Sequence, residues 1–334
     1  MRVLVTGCGG FLGNEVVRQL IERGDHVIGI SRGEYPDLVD LGMDHRRGDL
    51  TNPDFVRQSV CEVDAVIHTA AIAGVWGPWQ TFFSINKLAT DYVIEACQRN
   101  GIGRLVFSSS PSVTFDGEHQ SGVDESVPYA TRWLCHYPHT KAMAEQAVLA
   151  ANQKDGLKTV ALRPHLIWGE NDPHILPRLI QRAASGRLRI VGEGNNRVDT
   201  VHVINAAGAH LDALDALERQ PEMAAGRAYF ITQDDPVDCW SWIGGICELA
   251  GVTAPTRRIS YKAAYSVGAA LEGVYRLARI RREPPMTRFV AAQLARDHYF
   301  DLSAAKERLG YRVRISMQDG LQRLSAAWAN RDTL

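Results

Sequence analysis

No uninterrupted apolar run in this chain is long enough to cross a bilayer. The least polar stretch, Ala263 to Ala278, is broken by Glu272 and Arg276, too short and too charged for a spanning helix. An excess of charge is missing too: 37 Lys and Arg stand against 38 Asp and Glu, a formal charge of -1. Without a basic field the chain has no electrostatic reason to seek nucleic acid. Cysteine is sparse. The 6 cysteines, at positions 8, 61, 97, 135, 239 and 247, form no C-x-x-C pair and no zinc-like spacing, which fits a reducing, cytoplasmic setting. His136 and His139 lie three apart, but no nearby carboxylate or cysteine completes a set, so no metal is expected. Repeats, low-complexity tracts and flexible linkers are absent, and Arg2-Val3-Leu4-Val5 begins a strand-like segment at once, so no cleaved leader is expected.

What remains is an ordinary globular composition, 45% hydrophobic and 22% charged over 334 residues. That is enough for one large α/β domain with a smaller lobe, or for two domains. Short β-branched runs alternate with amphipathic helical segments over the first 110 or so residues. Val3–Thr6, His26–Ile30, Asp64–His68 and Arg104–Ser108 read as strands, and Phe11–Arg23 as a helix with Leu12, Val16, Leu20 and Ile21 on one face. Lys158–Arg163 reads as a late strand of the same sheet. Strands alternating with helices of this length predict βαβ units and a parallel sheet covered on both faces.

The first strand runs into Gly7-x-x-Gly10-x-x-Gly13 and then the first helix. A diphosphate needs backbone N–H donors at a helix N-terminus with side chains out of the way. Three glycines meet that need: one turns the chain, one lets phosphate approach, and one lets the helix pack on the sheet. Phe11 and Leu12 share this turn, and Ala70 and Ala71 follow the fourth strand beside it. A dinucleotide site follows, on a doubly wound Rossmann-type sheet. Residues 1–165 are expected to form the cofactor-binding domain and residues 166–334 mainly a substrate lobe. The two should interleave, with the sheet completed by segments near 199–232, Asp199–Val203 and Arg227–Ile231 among them. After the second strand an acidic residue would hold an adenosine ribose diol; Ser31 stands there instead, followed by Arg32. An arginine can pair with a 2′-phosphate, so NADP(H) is favoured over NAD(H); a solvated Arg32 is the alternative. Asp49 and Leu50, after the third strand, are placed for the adenine ring.

Tyr137 and Lys141 are four apart and share a face if a helix starts near Pro138. Tyrosine begins near pKa ~10, so neutral-pH acid/base work needs a drop of about 3 units, ~4 kcal/mol. A lysine ammonium at ~4 Å supplies roughly that order at intermediate dielectric. Ser110 closes the Ser108–Ser110 run at a strand end and is the best-placed hydroxyl for a substrate oxygen.

In this order Gly7, Gly10, Gly13, His68-Thr69-Ala70-Ala71, Asn86, Ser110, Tyr137, Lys141 and Arg163-Pro164 resemble an extended short-chain dehydrogenase/reductase over essentially the whole chain. The resemblance implies an NAD(P)-dependent oxidoreductase with Tyr137 as general acid/base, Lys141 on the nicotinamide ribose, Ser110 on the carbonyl oxygen, and the backbone after Pro164 on the carboxamide. A narrower resemblance is to the 3β-hydroxysteroid dehydrogenase-like branch and its bacterial reductases of 2-alkyl-3-keto acids in long-chain olefin biosynthesis. It is carried by Ala73–Gly77, Ser110–Val113, Leu162–Gly169 and Glu283–Phe289. Cys8 stands where a smaller residue is usual, and Thr114-Phe115 where Tyr-Gly is common. The implied reaction is hydride transfer from NADPH to a C3 ketone.

Such a hydrophobic acid wants an apolar pocket with one cationic anchor. Trp76, Trp79, Phe82 and Phe83 offer apolar wall or ordinary packing beneath a loop, and His165 and Arg197 are the candidate anchors. A 3β-hydroxysteroid or sterol-carboxylate dehydrogenase is the chemical alternative. A nucleotide-sugar epimerase would want polar contacts where the tryptophans cluster. A non-catalytic NADP sensor would not need to keep the tyrosine. Arg276, Arg279, Arg281, Arg282 and Arg288 follow an apolar helical stretch, either as a solvated face or as a docking element for a partner enzyme or a membrane surface. A homodimer through helices near 80–100 and 138–152 is a further expectation from the resemblance.

Overall fold

In a computed structural model, which describes residues 1–331, seven strands form one parallel sheet. They are β1 Arg2–Thr6, β2 His26–Ser31, β3 Asp44–Arg47, β4 Ala65–His68, β5 Arg104–Ser108, β6 Lys158–Pro164 and β7 Arg227–Ile231, in the order β7-β6-β5-β4-β1-β2-β3. Burial on both faces explains why the inner strands read as nearly unbroken apolar runs; Val3, Leu4 and Val5 are fully buried, as are Ala65, Val66 and Ile67. The order reverses between β1 and β4, and the crevice at such a reversal is where these sheets bind ligands.

Helices cover both faces, four of them long. Helices α1 (Phe11–Glu22) and α5 (Val203–Arg219) close one side, α2 (Ala89–Arg99) and α3 (His136–Ala150) the other. The unusual first position, Cys8, is fully buried against Gly29, where a Cβ would lie 2.8 Å from its sulfur. A glycine in β2 thus makes room for the larger residue. Thr114 and Phe115 are buried as well: Thr114 donates to the Pro111 carbonyl (2.9 Å), and Phe115 packs edge-on to Phe289.

The lobe is built from α4 (Ile175–Ala184), α6 (Cys239–Leu249), α7 (Tyr261–Leu277) and the helix Arg288–Gln293, around Trp240, Ile243 and Ala291. Of the two segments expected to return to the main sheet, Arg227–Ile231 does so, pairing along β6. Val201 and His202 do not: they pair with Ile167 and Trp168. β7 already fills the sheet edge, and the chain turns at once into α5, where His202 accepts from Ile204 N. Traffic also runs the other way, since Gln120–Val123 pairs with His298–Phe300 in a four-stranded sheet with Arg197–Val198 and Val237–Asp238.

Candidate active site

The β1–α1 turn is made by close contacts that only glycine allows. Gly7 has φ +70° and donates its N–H to the Ile30 carbonyl at 2.8 Å. A Cβ on Gly13 would sit 2.2 Å from the Gly7 carbonyl oxygen, so α1 can close on the turn only without one. No side chain caps α1. Its first N–H groups and positive dipole end therefore remain for an anion. Gly7, Gly10, Phe11, Leu12 and Gly13 line a cleft of about 530 Å³ together with Ala71, Ser110, Tyr137, Lys141 and Pro164. Ala70 lies under Gly7, its N–H on Thr6 Oγ1 at 3.3 Å. These residues fit a dinucleotide: an uncapped helix end for the diphosphate leads along one cleft to the tyrosine.

Helix α3 begins at His136, so Tyr137 and Lys141 sit one turn apart at its N-terminal end. Three consecutive serines opposite them take three different tasks. The Ser108 carbonyl accepts from Lys141 Nζ at 2.6 Å. The Ser109 hydroxyl turns away and donates to Glu145. Ser110 stays in the cleft, hydrogen-bonded to Ser112 Oγ (2.8 Å) and beside the Tyr137 hydroxyl, whose pKa it lowers. Burial pushes the Tyr137 hydroxyl above its usual range, opposed by the Ser110 hydroxyl. Burial also pulls Lys141 down to about 7, opposed by Glu145, while its ammonium lies 4.0 Å over the Phe107 ring. The nearby cation therefore does not by itself make Tyr137 a stronger acid in this arrangement.

Sequence reasoning missed what stands behind the couple. Glu145 is fully buried and receives Arg163 through Nη2 (2.6 Å) and Nε, the Tyr129 hydroxyl (2.8 Å), and Ser109. Glu145 follows Tyr137 and Lys141 at helical spacing, which would have pointed to it; nothing in the sequence pairs it with Arg163. Asn86, in a π-helical segment Phe83–Leu88, holds Ile72 by both its N–H (2.8 Å) and its carbonyl (3.1 Å) and reaches Thr140 of α3. That segment, a frequent device at functional sites, ties the 70–75 loop to α3.

The adenine end is more open. Ser31 bonds His45 at 2.7 Å, and Arg32 is exposed, using only its carbonyl, which accepts from Arg47. The Asp49 carboxylate is taken up by the N–H and hydroxyl of Thr51, both at 2.9 Å, and Leu50 packs beneath β2 and β5. The expected substrate residues divide. His165 lines the cleft, but burial holds its imidazole well below its ordinary pKa, so it is neutral and no cationic anchor. Its Nε2 meets His298 Nδ1 at 2.7 Å, and His298 Nε2 donates to the Gln293 carbonyl. Arg197 is outside the cleft, over the Tyr299 ring and bonded to the Pro236 carbonyl. Besides Lys141, the basic side chains of the cleft are Arg178 and Arg182, one turn apart on α4 and both facing Glu283. Trp79 is not part of the cleft lining; it packs against Phe83, His136 and His139. Trp76 belongs to a neighbouring cavity.

A cleft with a dinucleotide cradle at one end and a Tyr-Ser-Lys set at its centre defines a nicotinamide-dependent oxidoreductase. The chain belongs to the 3-beta hydroxysteroid dehydrogenase/isomerase family, which matches residues 4–260. It is an extended short-chain dehydrogenase/reductase that uses a nicotinamide dinucleotide. It is 47% identical to a 2-alkyl-3-oxoalkanoate reductase of Shewanella oneidensis, over 97% of this chain and 85% of that one. Identity to the 2-alkyl-3-oxoalkanoate reductase of Stenotrophomonas maltophilia is 46%, over 98% and 100%. A sterol-4-alpha-carboxylate 3-dehydrogenase of Mus musculus is 32% identical over 96% of this chain and 88% of its own. Among solved structures, MoeE5 in complex with UDP-glucose and NAD superposes with a TM-score of 0.74 at 26% identity, each chain covered in full. Relatives of these names support a reductase role.

Proposed function

We propose that the protein reduces a 2-alkyl-3-keto acid to the 2-alkyl-3-hydroxy acid, with NADPH as hydride donor and Tyr137 as proton donor. The carrying observation is the composition of the cleft that holds Tyr137. Tyr137 and Ser110 face a volume whose far walls are Leu179, Leu188, Ile243, Phe289, Val290 and Leu294, with Arg178 and Arg182 at its side. An apolar cleft with two cations suits a long-chain acid; a charged sugar nucleotide would leave most of that wall idle. The reduced nicotinamide supplies hydride to C3. Ser110 steadies the carbonyl oxygen, and Tyr137 gives its proton to that oxygen as negative charge develops, so that the C=O π bond becomes C–H and O–H. A hydroxyl held above its ordinary pKa keeps its proton at neutral pH until negative charge develops on the substrate oxygen. Lys141 is expected to leave the Ser108 carbonyl for the nicotinamide ribose when the cofactor binds.

The exposed Arg32 guanidinium, with Ser31 at the usual acidic position, supports NADP(H) over NAD(H). A cytoplasmic location and a homodimer packed through α2 and α3 complete this reading. The outer face of α7 supports docking on an anionic lipid surface. Leu277 is 89% exposed and Val274 57%, and Arg279, Arg281 and Arg282 beside them make no ion pair among the described residues. The test is NADP+ reduction with a long-chain 2-alkyl-3-hydroxy acid against a 3β-hydroxysteroid. Turnover of the branched acid, lost by about 10³-fold in Tyr137→Phe with cofactor affinity kept, is expected. Turnover of the steroid alone favours the sterol reading that the 32% relative suggests.

A further inference from the structure

Beside the catalytic cleft is a second cavity of about 380 Å³, lined chiefly by Val75, Trp76, Pro78, Phe82, Leu134 and Ile280. It lies within the range that small-molecule sites occupy, ~300–1,000 Å³. The two cavities share one wall. Val75 lines both, whereas Ala73 and Gly74 face only the cleft, and Trp76, Gly77 and Pro78 only the second cavity. The start of α3 is divided the same way: Tyr137 lines the cleft, and Cys135 and His136 line the second cavity. The start of α3 thus separates the cleft that holds Tyr137 from a neighbouring cavity whose wall is mainly apolar, with Glu272, Arg276, Arg279 and Arg281 also in its lining.

We infer that the second cavity receives the alkyl branch on C2 while the main chain lies along the catalytic cleft, an assignment that rests on the 2-alkyl-3-keto acid reading above. A straight-chain keto acid would need only one of the two spaces. A branch on the carbon next to the ketone is the feature that calls for both, because its two arms diverge within one bond of the reacting centre. The buried charge of the second cavity is balanced, and the exposed Arg279 and Arg281, which also line it, make no ion pair among the described residues. Glu272 is buried but taken up by Arg288 (2.7 Å) and Arg276 (3.3 Å). His136 is kept below its ordinary pKa by burial and by Arg276, which keeps it neutral.

The dividing wall is thin and held at both ends. Asn86 fixes Ile72 before it. After it, Trp76 donates its indole N–H to the Ile280 carbonyl at 3.1 Å, meets Tyr275 edge-on and lies under the Arg276 guanidinium. Gly74 and Gly77, at φ +145° and +146°, take a backbone conformation that side-chain-bearing residues rarely adopt, and they leave Val75 as the one side chain common to both spaces.

The experiment compares two 3-hydroxy acids of equal main chain, one with a methyl and one with a long alkyl group on C2, as substrates for NADP+ reduction. The readout is the ratio of their kcat/KM values. Ile280→Trp, which fills the second cavity from its rim, is expected to lower the long-to-methyl ratio about tenfold, ~1.4 kcal/mol. Tyr275→Ala, which enlarges the cavity, is expected to raise it at least about twofold. A ratio unchanged in both variants overturns the assignment while leaving the reductase reading intact. Wild-type protein that oxidises neither acid overturns that reading and this assignment with it.

Discussion

Helices α3 and α7 are nearly equal in length, 15 and 17 residues, and each carries one buried glutamate paired with arginine. They spend that pairing differently. Glu145 of α3 is closed on every side: its partner Arg163 is 4% exposed, and Tyr129 and Ser109 fill the remaining acceptor positions. Glu272 of α7 is equally buried, but Arg288 and Arg276 reach it from solvent, 25% and 58% exposed. A charge pair in a closed site must be complete, since losing one partner strands the other in low dielectric. A pair vented to water is forgiving. The rigid pair stands behind Tyr137 and Lys141, and the vented one stands where the surface and the second cavity meet.

The largest effect expected from this contrast is Glu145→Gln. Removing the charge leaves Arg163 buried without a counter-ion, a loss of about 3–5 kcal/mol, read as a fall in Tm on the order of 10 °C. A loss no greater than that of an exposed pair would break the comparison.

Next is the pH dependence of the cofactor-free protein. The Lys141 amine titrates at about 7 in the fold against an ordinary 10.5. Below about 7 the amine is charged folded or unfolded. Above it and up to 10.5 the unfolded chain holds a proton that the folded chain has released. Stability should therefore climb with pH over that window, by about 1 kcal/mol per pH unit. Thermal unfolding between pH 6 and 9 should show the climb in the wild type and a flattened profile in Lys141→Met; parallel profiles would remove Lys141 as the cause.

Smaller again, Glu272→Gln should cost about 1 kcal/mol, since both arginines can turn to water; a loss matching that of Glu145→Gln would erase the distinction. Smallest in stability terms is the triple change Arg279→Gln, Arg281→Gln and Arg282→Gln. Tm should stay within about 1 °C, while co-sedimentation with phosphatidylserine vesicles drops several-fold; unaltered sedimentation would sink the docking role of α7.

Much of this site is legible in the sequence. The glycine turn, the tyrosine and lysine one turn apart, and the serine at the end of β5 depend on spacing within one element or across one turn. The cofactor's adenine end was less so, because Ser31 and Arg32 sit on an open edge where side chains are set by solvent as much as by neighbours. The substrate residues were hardest. His165 and Arg197 qualified as cations by residue type, yet burial against His298 neutralises one, and the four-stranded sheet carries the other away from the cleft. Arg178 and Arg182 drew no notice, although their spacing of four already put them on one helical face.

By itself the sequence determined the alternation of strands and helices, the dinucleotide turn, and which groups α3 displays together, because strand and helix periods are properties of the backbone and glycine's freedom is a property of one residue. Tertiary structure alone decided what faces those groups: that Ser109 turns to Glu145 while Ser110 stays with Tyr137, that Arg163 closes the buried pair, that β7 rather than residues 199–203 completes the sheet, and that a six-residue loop divides one apolar space from another. Those outcomes depend on contacts between residues far apart in the chain, and burial, which sets both their charge and their strength, exists only once the chain has closed around them.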